Sequence, residues 1–399
     1  MSDVKKLNIL FLTPRLPYPL IGGDRVKAYH TISYLAKSHN VTIISFYQGD
    51  IIPLEYLKAI EDLGAKIIVI KLSPIRAVLN SMVRNNPFNP LEINYYTQPL
   101  FRKAVQKELS DSKFDLAISF FMRTAEYIKD TPGIKKILMA EDCRVLYQQR
   151  SYQESNNLLQ KAIRLFEYQT LKCYEPNVLK HFDITTLVTQ NDINAMLSRS
   201  PEANLRLLSN GTDTDLFCPP LDNSNRSGVL FSGKLDVWAN VLMVQKIVTE
   251  IMPLIWEKLP EAKLTIAGAN PSNEIMQYKS ERINILPNVP SMVPILQSAA
   301  VFIHPHSGGT GIQNKLLEAM ACGTPVVTTS IGNQGIDANN HHEVLLGNTP
   351  QELANHTITI LSNSELANSI SHNCRQLIVD KHSWHSVLSN FDSIIDELF

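Results

Sequence analysis

Short runs of almost wholly apolar residues recur along the chain, separated by longer stretches where apolar positions return every third or fourth residue. Runs of the first kind predict strands buried on both faces, and stretches of the second kind predict helices that cover them. The strands fall at 8–12, 41–46, 65–70, 114–120, 137–139, 184–189 and 205–209, and again at 229–232, 263–267, 283–286, 301–303, 325–328 and 344–346. Helical patterns fill the intervals, with long ones at 74–110, 152–180 and 381–399. Two consecutive β/α alternations of this kind predict two parallel sheets, each covered by helices. Right-handed crossovers place the loops that follow the strands on one rim of each sheet. The Pro-, Asn- and Ser-rich stretch 219–228 is the predicted linker.

Residues 299–331 carry the densest chemistry. Strand 301–303 runs into Ser307-Gly308-Gly309-Thr310-Gly311, and a helix is expected from Ile312 until Gly323 stops it. Glycines let a loop's N–H groups approach a ligand, and a helix start favours an anion such as phosphate. Ile312, Leu316, Ala319 and Met320 form one stripe of this helix, while Gly311, Asn314, Lys315 and Glu318 form another. A cation in the first turn suits a phosphate, and a carboxylate one turn later suits the vicinal diol of a ribose. The plain alternative is a solvated face with a Lys/Glu pair. A second glycine pair, Gly22-Gly23, follows the first strand and is succeeded by Asp24. It lacks the GxGxxG spacing of dinucleotide sites. The fifth strand ends in Glu141-Asp142, where open α/β sheets place their ligands.

Composition narrows the classes. At 399 residues the chain has room for two domains. A net charge of −1 removes support for nucleic acid as a partner. Five scattered cysteines, with no CxxC, argue for a reducing compartment and against a zinc site. No secretory signal or membrane span is expected, so the expected location is cytoplasmic. The locally basic stretch 74–110 (Arg76, Arg84, Arg102, Lys103, Lys107), interleaved with Phe88, Tyr95, Tyr96 and Phe101, reads either as a solvated face or as a peripheral contact with an anionic membrane.

Several motifs resemble those of the retaining family 4 glycosyltransferases. Asn210-Gly211-Thr212-Asp213-Thr214-Asp215-Leu216-Phe217 with Pro219 is similar to their NGVDxxxFxP turn, and residues 316–327 to their LLEAMACGxPVV motif. Gly22-Gly23 and Phe231-Ser232-Gly233-Lys234-Leu235 match two further turns, and the 236–240 and 311–315 segments resemble an exopolysaccharide-associated branch. The resemblance implies a GT-B fold: two Rossmann-like parallel-sheet domains facing a central cleft, 1–205 on the acceptor side and 206–382 on the donor side, with helix 383–399 crossing back to the first. It implies a UDP- or GDP-sugar donor, a glycan or lipid-linked acceptor, retention of anomeric configuration, and neither metal nor cofactor. By position, Glu318 would bind the ribose, Lys234 would neutralise the diphosphate, and Gly22, Gly23, Gly309, Thr310, Gly311 and Ile312 would approach phosphate or sugar.

Three positions depart from that pattern. Thr310 stands where the family has the first Glu of its E-x7-E pair, and Ala239 where it has a second basic residue. Lys315 is expected to replace the latter's charge. Glu141-Asp142 stands where many relatives carry a His, leaving Asp142, Glu141 or Asp24 to orient the acceptor or take its proton. Asp213-x-Asp215 reads as turn chemistry and not as a metal-binding pair. His304 and His306 read as loop histidines, His306 being a possible sugar contact, and Trp238, Trp256 and Trp384 as packing residues. Two competing functions remain: a nucleotide-sugar 2-epimerase-like isomerase, and a non-catalytic nucleotide-sugar-binding subunit.

Overall fold

Every strand pairs in parallel with its neighbours, as continuous apolar runs joined by helices require. The structure, a computed structural model, describes residues 6–82, 89–155, 157–222, 226–308 and 311–399. Two units emerge: Met1–Leu208 together with Leu388–Phe399, and Ser209–Val387 apart from residues 309–311.

The first unit holds β1 (Asn8–Thr13), β2 (Asn40–Tyr47), β3 (Lys66–Lys71), β4 (Leu116–Phe120), β5 (Lys135–Glu141), β6 (Ile184–Leu187) and β7 (Leu205–Leu207) in the order β3-β2-β1-β4-β5-β6-β7. Its helices are α1 (Gly23–Leu35), α2 (Leu54–Glu61), α3 (Pro74–Met82), α4 (Leu91–Tyr96), α5 (Pro99–Asp111), α6 (Arg144–Glu154), α7 (Leu158–Leu179) and α8 (Gln190–Leu197). The second unit holds β8 (Ser227–Ser232), β9 (Leu264–Gly268), β10 (Ile283–Pro287), β11 (Ala299–His304), β12 (Val326–Thr328) and β13 (Leu345–Leu346) in the order β10-β9-β8-β11-β12-β13. Around them lie α9 (Trp238–Lys246), α10 (Met252–Lys258), α11 (Asn273–Met276), α12 (Val293–Ser298), α13 (Asn314–Ala321), α14 (Pro350–Ser362), α15 (Ser364–His382) and α16 (Trp384–Asp396).

Both sheets reverse direction beside their first strand, at β1/β4 and at β8/β11. Crevices at such switch points are where open α/β sheets bind ligands. Each sheet has its own core, with Leu10, Leu12, Ile44, Phe46 and Leu138 in one and Phe231, Val244, Ile266, Val301 and Ile303 in the other. Each such side chain contributes about 1.5–3 kcal/mol by leaving water.

The long helices differ from expectation. The 74–110 pattern divides into α3, α4 and α5, since Pro90 precedes α4 and Pro99 opens α5. Residues 83–88, with Arg84 and Phe88, lie outside the described residues. The 152–180 pattern divides between α6 and α7, because Asn157 caps a new start by accepting from the N–H groups of Leu159 and Gln160. The final pattern breaks at Ser383, leaving α16 as the last helix. The residues from Leu388 onward belong to the first unit, tied there by Tyr34 Oη donating to Asp392 at 2.6 Å and by Arg206 gripping Glu397.

One helical stretch among the described residues, Trp238–Lys258, is long and apolar enough to cross a membrane. Its Met243, Val244, Ile247, Ile251, Met252 and Ile255 are instead packed in the second core. Trp238 itself is exposed and does not pack as expected, whereas Trp384 is buried, and Trp256 donates to the Ala262 carbonyl.

Candidate functional site

The second unit gathers its charged groups at the carboxyl ends of β8 and β11, on the switch point. Strand β8 delivers the Gly233-Lys234 turn. A Cβ on Gly233 would lie 3.1 Å from Lys315 Nζ and 3.0 Å from Asn240 Nδ2, so glycine leaves the room in which these two heads meet. Helix α13 starts at Asn314 and not at Ile312; Ile312 and Gln313 stay non-helical, with Gln313 at the N-cap. Leu316, Ala319 and Met320 are buried and Asn314, Lys315 and Glu318 face away from the core, as the two stripes require.

Lys315 Nζ donates to Asn240 Oδ1 at 2.7 Å, and Asn240 Nδ2 donates to the Lys234 carbonyl at 2.8 Å. The ammonium also lies 5.5 Å from the Phe231 ring centroid. Burial lowers the Lys315 pKa to about 8, partly offset by Glu318. Burial raises the Glu318 pKa to about 7 against the pull of Lys315. Both groups are thus held where charge is costly, one helical turn apart, with an amide as the lysine's hydrogen-bond partner. An anionic ligand with hydroxyl groups would satisfy both.

Beneath them, His304 ends β11 fully buried, stacked 6.3 Å from Phe231 and 5.3 Å from His306. This corrects the reading of His304 as a loop residue. Burial, then Lys315 and His306, push its pKa well below the ordinary value, so the ring is neutral. His306 is buried too, its carbonyl accepting from Thr329 Oγ1.

The remaining donor-side residues divide. Lys234 is largely exposed, 3.6 Å from Asp236. Asn314 Oδ1 accepts from Asn210 Nδ2 at 2.9 Å, joining the helix start to the 210–217 turn. In that turn Asp213 Oδ1 accepts from the N–H groups of Asp215 and Leu216. Ile312 is buried, and Gly311 takes a φ of 73°, in the left-handed region. Gly309 and Thr310 lie outside the described residues.

In the first unit, Gly22 caps α1 with φ at 97°, and Asp24 in the first turn pairs with Arg15 at 3.0 Å. Gly23 opens the helix. Glu141 ends β5 at a register shift with φ at 72°. Its carboxylate meets Lys27 Nζ at 3.0 Å, and Lys27, fully buried, donates to the Leu208 carbonyl. Burial raises the Glu141 pKa, Lys27 opposes this, and Asp142 and Asp24 add to the rise, so the three carboxylates share one rim. Asp142 lies 3.5 Å from Arg144, whose guanidinium grips Glu92 through two bonds of 2.9 and 2.8 Å.

Two functional positions escaped the sequence reading. Asn240 carries no charge, yet it anchors Lys315. Lys27 is a lysine inside the first helix, a residue type that normally faces water, yet it is buried there with Ala28, Thr31, Ile32 and Leu35.

Residues 226–363, within the second unit, match the family described as Glycosyl transferases group 1, and the two parallel-sheet units have the GT-B fold. Among curated proteins, the chain is 23% identical over 404 residues to an uncharacterized 44.6 kDa protein in the cps region of Klebsiella pneumoniae, covering 96% of this chain and 98% of that one. Over 43% of this chain and 45% of the other it is 26% identical to the phosphatidyl-myo-inositol mannosyltransferase of Mycolicibacterium smegmatis. Among solved structures it resembles Anabaena HepE in complex with UDP and glucose, with a TM-score of 0.69 and 13% identity over 98% of this chain and 100% of that one.

Proposed function

We propose that the chain transfers a sugar from a UDP- or GDP-sugar to a glycan or lipid-linked acceptor, with retention and without a metal or cofactor. The carrying observation is the pair Lys315 and Glu318, half-buried on one helix face at the switch point, with the lysine held by an amide. In this reading the diphosphate lies against Lys315 and Lys234, the ribose diol donates to Glu318, and Gly311 and Ile312 lie beside the phosphates. Negative charge grows on the diphosphate as the glycosidic bond breaks. Fixed cations aimed there are worth more in the transition state than in the ground state. Gly22 and Gly23 bring backbone near the sugar. Of the three first-unit carboxylates, Glu141 is the one whose burial favours holding a proton, so it is assigned the acceptor hydroxyl; Asp142 and Asp24 support it.

The relative from a cps region supports a role in surface polysaccharide synthesis. The bound UDP and glucose in the HepE neighbour support the donor class. The test is a panel of UDP-, GDP- and ADP-sugars, each incubated with and without acceptor, with released nucleotide and product measured. Acceptor-dependent release from one donor is expected. Epimerised sugar from donor alone, or donor binding with no transfer to any acceptor, would replace this reading with one of its competitors.

A further inference from the structure

A cavity of about 420 Å³ lies wholly within the first unit, between α3, α4 and α7. Val78, Leu91, Tyr95 and Ile163 give it apolar walls, while Glu167 and Arg123, with Arg15, Ser81 and Glu92, supply polar groups. Glu167 is buried; one of its carboxyl oxygens accepts from the Glu92 N–H at 3.0 Å, and the other, Oε2, has no hydrogen-bond partner. Burial and the neighbouring Glu92 raise its pKa to about 7, so the protonated form, an O–H donor, is well populated at neutral pH. Arg123 lies over the Tyr96 and Phe121 rings, with only a loose 3.6 Å contact to Glu92.

The cavity's apolar wall continues onto the surface. Ile75, Val78 and Leu79 stand at i, i+3, i+4 on α3 and are 75%, 44% and 51% exposed. Leu158, Leu159 and Ile163 on α7 are 84%, 71% and 43% exposed. Val78 and Ile163 belong both to these stripes and to the cavity lining. Aliphatic side chains left in water around a pocket mouth mark a binding surface. The inner groups can bond a hydroxyl, and the outer ones offer nothing but apolar contact. A free sugar would leave the stripes wet, and a bare hydrocarbon would leave Glu167 unpaired. Arg76, exposed on α3 beside Ile75, suits the anionic surface of a membrane in which the remaining chain would lie.

We propose that this cavity binds an amphiphile, an aliphatic chain ending in a hydroxyl-bearing head, with the head on Glu167 and Arg123 and the chain along the stripes of α3 and α7. As the seat of a lipid-linked acceptor it rests on the transfer reading above; as a binding site it stands without it. The test uses the full chain with no donor present. Binding of octyl glucoside, kept below its micelle-forming concentration, is measured by calorimetry beside glucose and octanol. Saturable binding at one site is expected, at least tenfold tighter for octyl glucoside than for either half-molecule. The Val78→Asp/Ile163→Asp variant should weaken it at least tenfold. Glu167→Leu should weaken it about fivefold, and Glu167→Gln, which keeps a donor, should restore most of the loss. UDP binding by each variant reports that the chain is folded. Octyl glucoside bound no better than glucose or octanol, or bound equally by the double variant, overturns the proposal. UDP binding retained alongside that result would spare the nucleotide site; amphiphile binding without any nucleotide binding would sink the transfer reading and leave this site standing.

Discussion

The two units treat buried charge in opposite ways. In the first, Arg144 grips Glu92 and Arg199 meets Glu175, so each of these two cations has a carboxylate within about 3 Å. In the second, Lys315 is partnered by the neutral amide of Asn240, and Lys315 is the charged neighbour that acts on Glu318 among the described residues. Charges paired within the protein have their desolvation offset by the fold itself. Charges left to amides and rings remain costly until a ligand arrives. The contrast separates architecture from binding using geometry alone.

If the contrast is right, breaking a pair in the first unit should damage folding. Arg144→Met leaves Glu92 with only the looser 3.6 Å contact to Arg123, and should cost about 3 kcal/mol of stability in urea unfolding. A loss under 1 kcal/mol would mean that the first unit's ion pairs are also dispensable. In the second unit the damage should fall on chemistry. Lys315→Met should keep the unfolding midpoint and lower donor turnover by about 10²–10³-fold, the usual range for removing one preorganised charge-stabilising group. Glu318→Ala should raise the Kd for UDP about 10- to 100-fold with little change in stability, since a charged acceptor of hydrogen bonds is worth about 1.5–3 kcal/mol.

The mildest effect is on pH dependence. Lys315 is an ammonium below its pKa of about 8 and loses its charge as pH rises through it. For the wild type, kcat/KM should therefore decline above about pH 8, and Lys315→Arg, whose guanidinium stays charged, should lose that limb. The sign for folding is opposite. Between about 8 and the ordinary 10.5 the unfolded chain binds more protons at this group, so the empty protein gains stability with rising pH there.

Much of this was legible in the chain. The strands were, because a strand buried on both faces leaves an unbroken apolar run and Gly22, Lys234 and Gly308 punctuate their ends. The stripe of Asn314, Lys315 and Glu318 was, because helical spacing alone puts them together. Helix ends were harder. Asn157 is a cap signal in plain view, yet the apolar periodicity on both sides of it masked the break. Lys27 and Glu141 were beyond reach, being 114 positions apart in the chain, with nothing local to say that they meet. Asn240 was hidden by its neutrality, since an uncharged amide does not announce itself as the partner of a cation 75 positions away.

The central claim is that Lys315 and Glu318 form the seat of a nucleoside diphosphate. Crystals soaked with UDP test it most directly. Density is expected with the diphosphate within hydrogen-bonding distance of Lys315 Nζ and the ribose hydroxyls on Glu318. Nucleotide density seated elsewhere, with Lys315 still bonded only to Asn240, would contradict it.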